Sequence, residues 1–137
     1  MIRFLRSLPC LIFILAIYNL IALFEGINSF RNEYVWTLNL RLPSNAIISF
    51  GVNDILLILA LIILFFEIFK STYTSTSSII EHILSTLVFV TFIVEFLTVP
   101  RLGTPAFLMV TIMAFIDVIT GFTVGIAAGR RDFGFNR

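Results

Sequence analysis

Four long runs of apolar residues dominate the sequence, and short polar segments separate them. The runs cover residues about 8–24, 46–69, 79–99 and 106–128. A helix needs about 20 mostly apolar residues to cross the roughly 30 Å hydrocarbon core of a bilayer. Because lipid cannot satisfy free backbone hydrogen-bonding groups, such continuous runs are expected to be helical. The pattern therefore predicts four transmembrane helices in a single membrane domain spanning residues 1–137.

The polar segments contain recognisable helix boundaries. Thr104 can cap a helix whose first residue is Pro105, where the missing N–H costs nothing. Ser78 and Glu81 have the S-x-x-E spacing of a capping box. The connections before the third and fourth runs are short, so the last three helices are expected to be antiparallel neighbours. The predicted fold is all-α, an integral membrane four-helix bundle.

The outer loop at residues 25–45 is longer than the other connections and differs from them in pattern. Trp36, Leu38, Leu40 and Leu42 alternate there with more polar residues. Alternation with period two is typical of a β-strand. One interpretation is an exposed strand that pairs with a partner's strand. The other, which we take as the expectation, is a segment lying at the membrane interface with its aromatic residues at headgroup level.

Basic residues are distributed unequally between the two sides that this topology defines. The side with more lysine and arginine would hold Arg3, Arg6, Lys70, Arg130, Arg131 and Arg137. The opposite side would hold Arg31, Arg41 and Arg101. The positive-inside rule then places both termini in the cytoplasm. The first run lacks a small-x-small cleavage pattern, so it is expected to be a retained anchor and not a signal peptide. Compact loops and this bias favour a bacterial inner membrane.

The composition excludes several classes of protein. Fifty-nine per cent of the residues are hydrophobic and 12% are charged, whereas soluble domains have roughly 45–50% apolar and about 25% charged residues. The mean hydropathy is +1.08. These values exclude an ordinary soluble enzyme, a disordered tail and a secreted disulfide scaffold. The net charge of +1 gives no indication of nucleic-acid binding, and a single cysteine and a single histidine predict neither a metal site nor a cofactor.

Three acidic residues within the runs are candidates for binding protons or cations. Asp117 lies at the middle of the fourth run, roughly 16 Å from either end. Its short side chain cannot reach water from there, so it either makes a structural hydrogen bond or binds a proton or cation. Asp54 and Glu95 lie in the outer halves of the second and third runs. If the helices pack together, the three carboxyl groups could line one pocket, although Glu95 could instead reach the outer interface.

Glycines mark one face of the fourth run. Gly121, Gly125 and Gly129 form two overlapping G-x-x-x-G units, which allow two membrane helices to approach closely. Asp117 precedes Gly121 by four residues, so it is expected on or near the same face. The helix packed there could belong to the same bundle or to another subunit.

Polar residues also cluster at the predicted inner rim of the bundle, namely Glu67, Lys70, Glu81 and His82. Glu67 and Lys70 are three residues apart and could pair on one helix face. Glu81 is accounted for by the capping box, and His82 is expected to form hydrogen bonds at the interface.

Motifs for catalysis are missing from the sequence, so we expect a protein that is not an enzyme. The leading hypothesis is an accessory or assembly subunit of a membrane complex. The alternative is a small proton- or cation-coupled transporter or channel that uses its intramembrane carboxylates. Expected partners are the lipid bilayer and either further copies of the chain or another membrane protein, without nucleic acid.

Overall fold

A computed structural model of the chain describes residues 9–24, 37–71 and 78–134. Within these residues the backbone forms four helices and one two-stranded sheet. In chain order they are α1 (Leu11–Phe24), β1 (Leu38–Arg41), β2 (Ile47–Phe50), α2 (Val52–Ser71), α3 (Ser78–Thr98) and α4 (Pro105–Gly134).

Three of the helices are long and apolar enough to cross a membrane. They are α2, the part of α3 from Ile80 to Thr98, and the part of α4 from Pro105 to Ala127. Helix α1 has 14 residues, or about 21 Å at 1.5 Å per residue, which is short of a complete crossing. The predicted first run began at Leu8, which lies outside the described residues. The mainly helical fold predicted from the sequence is confirmed, and three of the four predicted spans correspond to helices that are long and apolar enough to cross a membrane.

The prediction of an all-α fold is wrong for the segment before α2, which forms an antiparallel β-hairpin. Strand β1 pairs with β2, and Leu38 faces Phe50 while Leu40 faces Ile48. Asn45 in the turn has a φ of 62°, a left-handed conformation that asparagine tolerates better than most residues. The second apolar run was predicted to be helical from Ala46, but its first residues pair with β1, so α2 begins at Val52.

The hairpin has one apolar and one more polar face. Residues directly opposite each other point to the same side of a sheet, so Leu38, Leu40, Ile48 and Phe50 share one face. The strand alternation noticed in the sequence is therefore real, but the partner strand belongs to the same chain.

The core of the bundle lies where α1 crosses α3 and α4. Tyr18, Phe92 and Phe107 are fully buried. The Phe107 ring centroid lies 5.1 Å from that of Tyr18 and 5.4 Å from that of Phe92. Three helices are thus joined by one aromatic cluster, while α4 also packs along α2.

Both ends of α1 are held by side chains of opposite charge. At its start, the Cys10 N–H donates a hydrogen bond to the Glu67 carboxylate. At its end, the Arg101 guanidinium donates to the Ala22 carbonyl at 2.8 Å. An anion at a helix N-terminus and a cation at its C-terminus complement the helix dipole. This arrangement fixes α1 on the bundle and positions Glu67.

The predicted start of α4 is confirmed. Pro105 is its first residue, and the Phe107 N–H donates to the Thr104 hydroxyl at 3.2 Å. In the capping box predicted for α3, the Ser78 side chain lies outside the described residues.

Candidate functional site

Two buried carboxyl groups line one small cavity of the bundle, Glu67 from α2 and Asp117 from α4. Each of the two residues is only 6% exposed. The Ser85 hydroxyl of α3 donates a hydrogen bond to Asp117, while Glu67 accepts the Cys10 N–H. Four parts of the chain therefore converge on one pair of acids.

A small cavity of about 20 Å³ lies beside this pair, which is room for about one water molecule. We call it the carboxylate cavity. Its lining consists of Glu67, Lys70, Ser71, Glu81, His82, Ser85, Asp117 and Gly121. The four residues predicted at the inner rim are thus brought together, and Asp117 joins them.

An ion pair lies at the edge of the carboxylate cavity. Lys70 Nζ lies 3.7 Å from Glu81 Oε2, and both side chains are partly exposed. The sequence indicated that Lys70 could also pair with Glu67 on the same helix face. The ion pair with Glu81 links α2 to α3, and the Glu67 carboxylate accepts a hydrogen bond from the start of α1.

The glycines of α4 accommodate the side chain of His82. A Cβ atom at residue 121 would lie 2.3 Å from two atoms of the imidazole ring, and one at residue 125 would lie 3.8 Å from Nε2. The ring also stacks on Phe122, with centroids 6.0 Å apart. Gly121 therefore packs inside the bundle against α3, while Gly125 is exposed beside the same imidazole ring. Gly129 is part of α4, but its surroundings lie outside the described side chains.

Asp54 lies far from the carboxylate cavity. Its exposed side chain accepts the Gly51 N–H at 2.9 Å, as an acid in the first turn of a helix often does. Thirteen residues separate Asp54 from Glu67 along α2, which corresponds to about 20 Å. Asp54 therefore stabilises the start of α2.

Glu95 is part of a separate contact between α1 and α3. Its carboxylate accepts a hydrogen bond from the Asn19 amide at 2.7 Å. Ten residues separate Glu95 from Ser85, or about 15 Å along the helix. Of the three acids predicted to share a pocket, only Asp117 belongs to the carboxylate cavity.

Asp117 lies near the middle of the part of α4 that is long and apolar enough to cross a membrane, twelve residues after Pro105 and ten before Ala127. Its hydrogen-bond donor Ser85 lies seven residues after the start of α3, and Glu67 lies four residues before the end of α2. The carboxylate cavity therefore extends from the middle of α4 towards the linked ends of α2 and α3, where Lys70 and Glu81 also line it.

The carboxylate cavity has an excess of acidic groups. Three carboxyl groups and one ammonium group line it. In a low-dielectric environment, neighbouring carboxyl groups cannot all be ionised without matching positive charge. Among the residues that the structure describes, no three histidine, cysteine, aspartate or glutamate side chains are arranged to hold a metal ion.

No protein-family model matches the chain, and neither a curated protein nor a solved structure is significantly similar to it. The chemistry of the carboxylate cavity is therefore the basis for a functional proposal.

Proposed function

We propose that this protein is a small membrane transporter that carries protons and binds them at the carboxylate cavity. The supporting observation is the pairing of Glu67 and Asp117, both buried, beside space for one water molecule. An ionisable residue within a membrane helix costs about 3 kcal/mol on insertion scales. Two such residues placed together are more than helix packing requires, which supports a function for the pair.

A proton suits the carboxylate cavity better than a metal cation does. Calcium takes six to eight oxygen ligands and magnesium needs near-octahedral geometry. Here Glu67 and Asp117 supply the two buried carboxyl groups, and Ser85 already donates its hydrogen to Asp117. Two coupled carboxyl groups can instead share one proton and release it as a unit.

Among the described residues, the partly exposed groups of the carboxylate cavity lie towards one end of the bundle. Lys70 and Glu81, which line it towards the linked ends of α2 and α3, are partly exposed. The opposite half of the bundle is filled by Tyr18, Phe92 and Phe107. An open channel would need a continuous polar path, so the arrangement supports a carrier that loads protons from one side.

The proposed topology places the linked ends of α2 and α3 in the cytoplasm. Lys70, Arg130 and Arg131 lie towards this side in the sequence-based topology, and the positive-inside rule supports both termini in the cytoplasm of a bacterial inner membrane. The proposal involves no catalysed reaction and no cofactor.

The test is proton flux in liposomes that contain the purified protein and a trapped pH-sensitive dye. We expect flux under an imposed pH gradient or membrane potential. Asp117→Asn and Glu67→Gln should each reduce it at least tenfold, because an amide keeps the shape but cannot exchange a proton in this way. Asp54→Asn is the matched control and should leave the flux unchanged.

Two results would overturn this proposal. One is wild-type protein without flux under either driving force. The other is an equal flux in wild type and Asp117→Asn, which would make the buried aspartate a purely structural residue.

An accessory or assembly subunit is the second candidate, and one observation favours it. Leu38, Leu40 and Ile48 are exposed on the apolar face of the hairpin, which could meet another membrane protein. Native mass spectrometry after mild extraction tests this candidate. A second protein at fixed stoichiometry, lost in a Leu38→Ser/Leu40→Ser variant, would support it. A monomer or homo-oligomer alone would contradict it.

A further inference from the structure

A second space lies next to the carboxylate cavity, on the outer surface of the bundle between α3 and α4. It is a groove of about 550 Å³, which we call the α3–α4 groove. Its lining consists of His82, Ile83, Thr86, Leu87, Phe122, Gly125 and Ile126. His82 belongs to the walls of both spaces and separates them.

Gly125 lies in the wall of the α3–α4 groove. It is exposed, and a Cβ there would be in ordinary contact with His82 Nε2 at 3.8 Å. The neighbouring apolar side chains Ile83, Leu87 and Ile126 are more than half exposed. Since α3 and α4 are both long and apolar enough to cross a membrane, the groove opens towards lipid.

Basic residues follow the groove along α4. Arg130 and Arg131 come four and five residues after Ile126 in the same helix. At 1.5 Å per residue they are about 6–8 Å further along the helix axis. Basic residues just beyond the cytoplasmic end of a membrane helix attract anionic headgroups. The side chains of both arginines lie outside the described ones, but both residues belong to α4.

We propose that the α3–α4 groove is a binding site for an anionic phospholipid. The upper part of an acyl chain lies between Ile83, Leu87 and Ile126, with its headgroup at the end of the groove that precedes Arg130 and Arg131 along α4. The apolar lining suits the chain, and the positions of two basic residues directly beyond it in the same helix favour an anionic headgroup over a neutral one. This inference is independent of proton binding in the carboxylate cavity.

The test uses native mass spectrometry of the purified protein with added phosphatidylglycerol or phosphatidylcholine that have the same acyl chains. We expect phosphatidylglycerol to bind preferentially. Each arginine near a membrane surface contributes roughly a fivefold change in affinity for anionic lipid. The Arg130→Gln/Arg131→Gln variant should therefore lose the preference for phosphatidylglycerol. Arg41→Gln in the hairpin is the control: it also replaces an arginine with glutamine, and it should keep the preference.

The groove itself is tested with Gly125→Leu, which fills it. This variant should weaken binding of both lipids at least fivefold. Thr123→Leu is the matched control, because Thr123 is exposed two residues away on the opposite side of α4. It should bind both lipids as wild type does.

Three results would overturn the inference. Equal binding of phosphatidylglycerol and phosphatidylcholine by wild type would show that the charge of the headgroup does not contribute to binding. Unchanged lipid binding by Gly125→Leu would show that lipid binds elsewhere. A shift of Gly125→Leu from oligomer to monomer, with lipid binding unaffected, would show that the groove holds a helix of a second copy.

Discussion

The imidazole ring of His82 occupies the space that a side chain at residue 121 would need. A Cβ atom on Gly121 would lie 2.3 Å from both Cε1 and Nδ1 of the ring. Gly121 is thus required by one histidine of α3, and this contact forms the wall between the carboxylate cavity and the α3–α4 groove.

Gly121→Ala should therefore destabilise the protein. Overpacking typically costs about 1–3 kcal/mol, which exceeds the roughly 1 kcal/mol that alanine gains over glycine in a helix. Gly125→Ala is the matched control, since its Cβ would be in ordinary contact with His82. Thermal unfolding in detergent should show a lower Tm for Gly121→Ala and an equal or higher Tm for Gly125→Ala. Equal Tm values for the two variants would mean that the ring moves aside freely.

Glu67 should control the position of the start of α1. The Cys10 N–H donates to its carboxylate, and a glutamine in that place can still accept this hydrogen bond while leucine cannot. Amide hydrogen exchange in the first turn of α1 measures the release of this end. We expect Glu67→Leu to increase exchange there severalfold and Glu67→Gln to stay close to wild type. If both variants exchange at the wild-type rate, the start of α1 is held by other contacts.

The Asn19–Glu95 hydrogen bond should couple α1 to α3. The two side chains lie 2.7 Å apart, and hydrogen bonds between membrane helices average about 0.6 kcal/mol and reach about 1.7 kcal/mol. A double-mutant cycle of Asn19→Ala and Glu95→Ala measures this coupling through the free energy of unfolding. We expect about 1 kcal/mol. Additive effects of the two substitutions would show that the bond contributes nothing to stability.

Arg101 should hold the other end of α1. Its guanidinium donates to the Ala22 carbonyl at 2.8 Å, and a cation at a helix C-terminus is worth about 0.3–1 kcal/mol. Arg101→Gln should increase amide hydrogen exchange in the last turn of α1, with little change in α4. Arg41→Gln, in the exposed hairpin, is the control and should leave exchange in α1 unchanged. If Arg101→Gln and Arg41→Gln show the same exchange in the last turn of α1, Arg101 does not hold this end of the helix.

The starts of α3 and α4 followed closely from the sequence because they depend on local chemistry. Thr104 and Pro105 determine the start of α4 through their own backbone and side-chain chemistry, independently of how the other helices pack. The hairpin could not be found in the same way. Ile47 and Ile48 belong to an apolar run that also suits a helix, and only their pairing with β1 decides the outcome.

The candidate site was predictable in part. The shared face of Asp117 and Gly121 follows from helical spacing, and the structure places both on the carboxylate cavity. The proximity of Glu67 to Asp117 could not be predicted from the sequence, because it depends on how far α2 and α4 are shifted along each other when they pack. One signal for Glu67 was present, since it continues the spacing of the residues that α2 buries, namely Leu56, Ala60 and Leu64.

Infrared spectroscopy of the protein in lipid, titrated with pH, tests most directly whether the carboxylate cavity holds an exchangeable proton. The account predicts a band from a protonated carboxyl group that shifts in deuterated water and disappears as the pH is raised. The band should be missing from Asp117→Asn and retained in Asp54→Asn. A wild-type spectrum without such a band, or a band that persists unchanged in both Asp117→Asn and Glu67→Gln, would contradict the account.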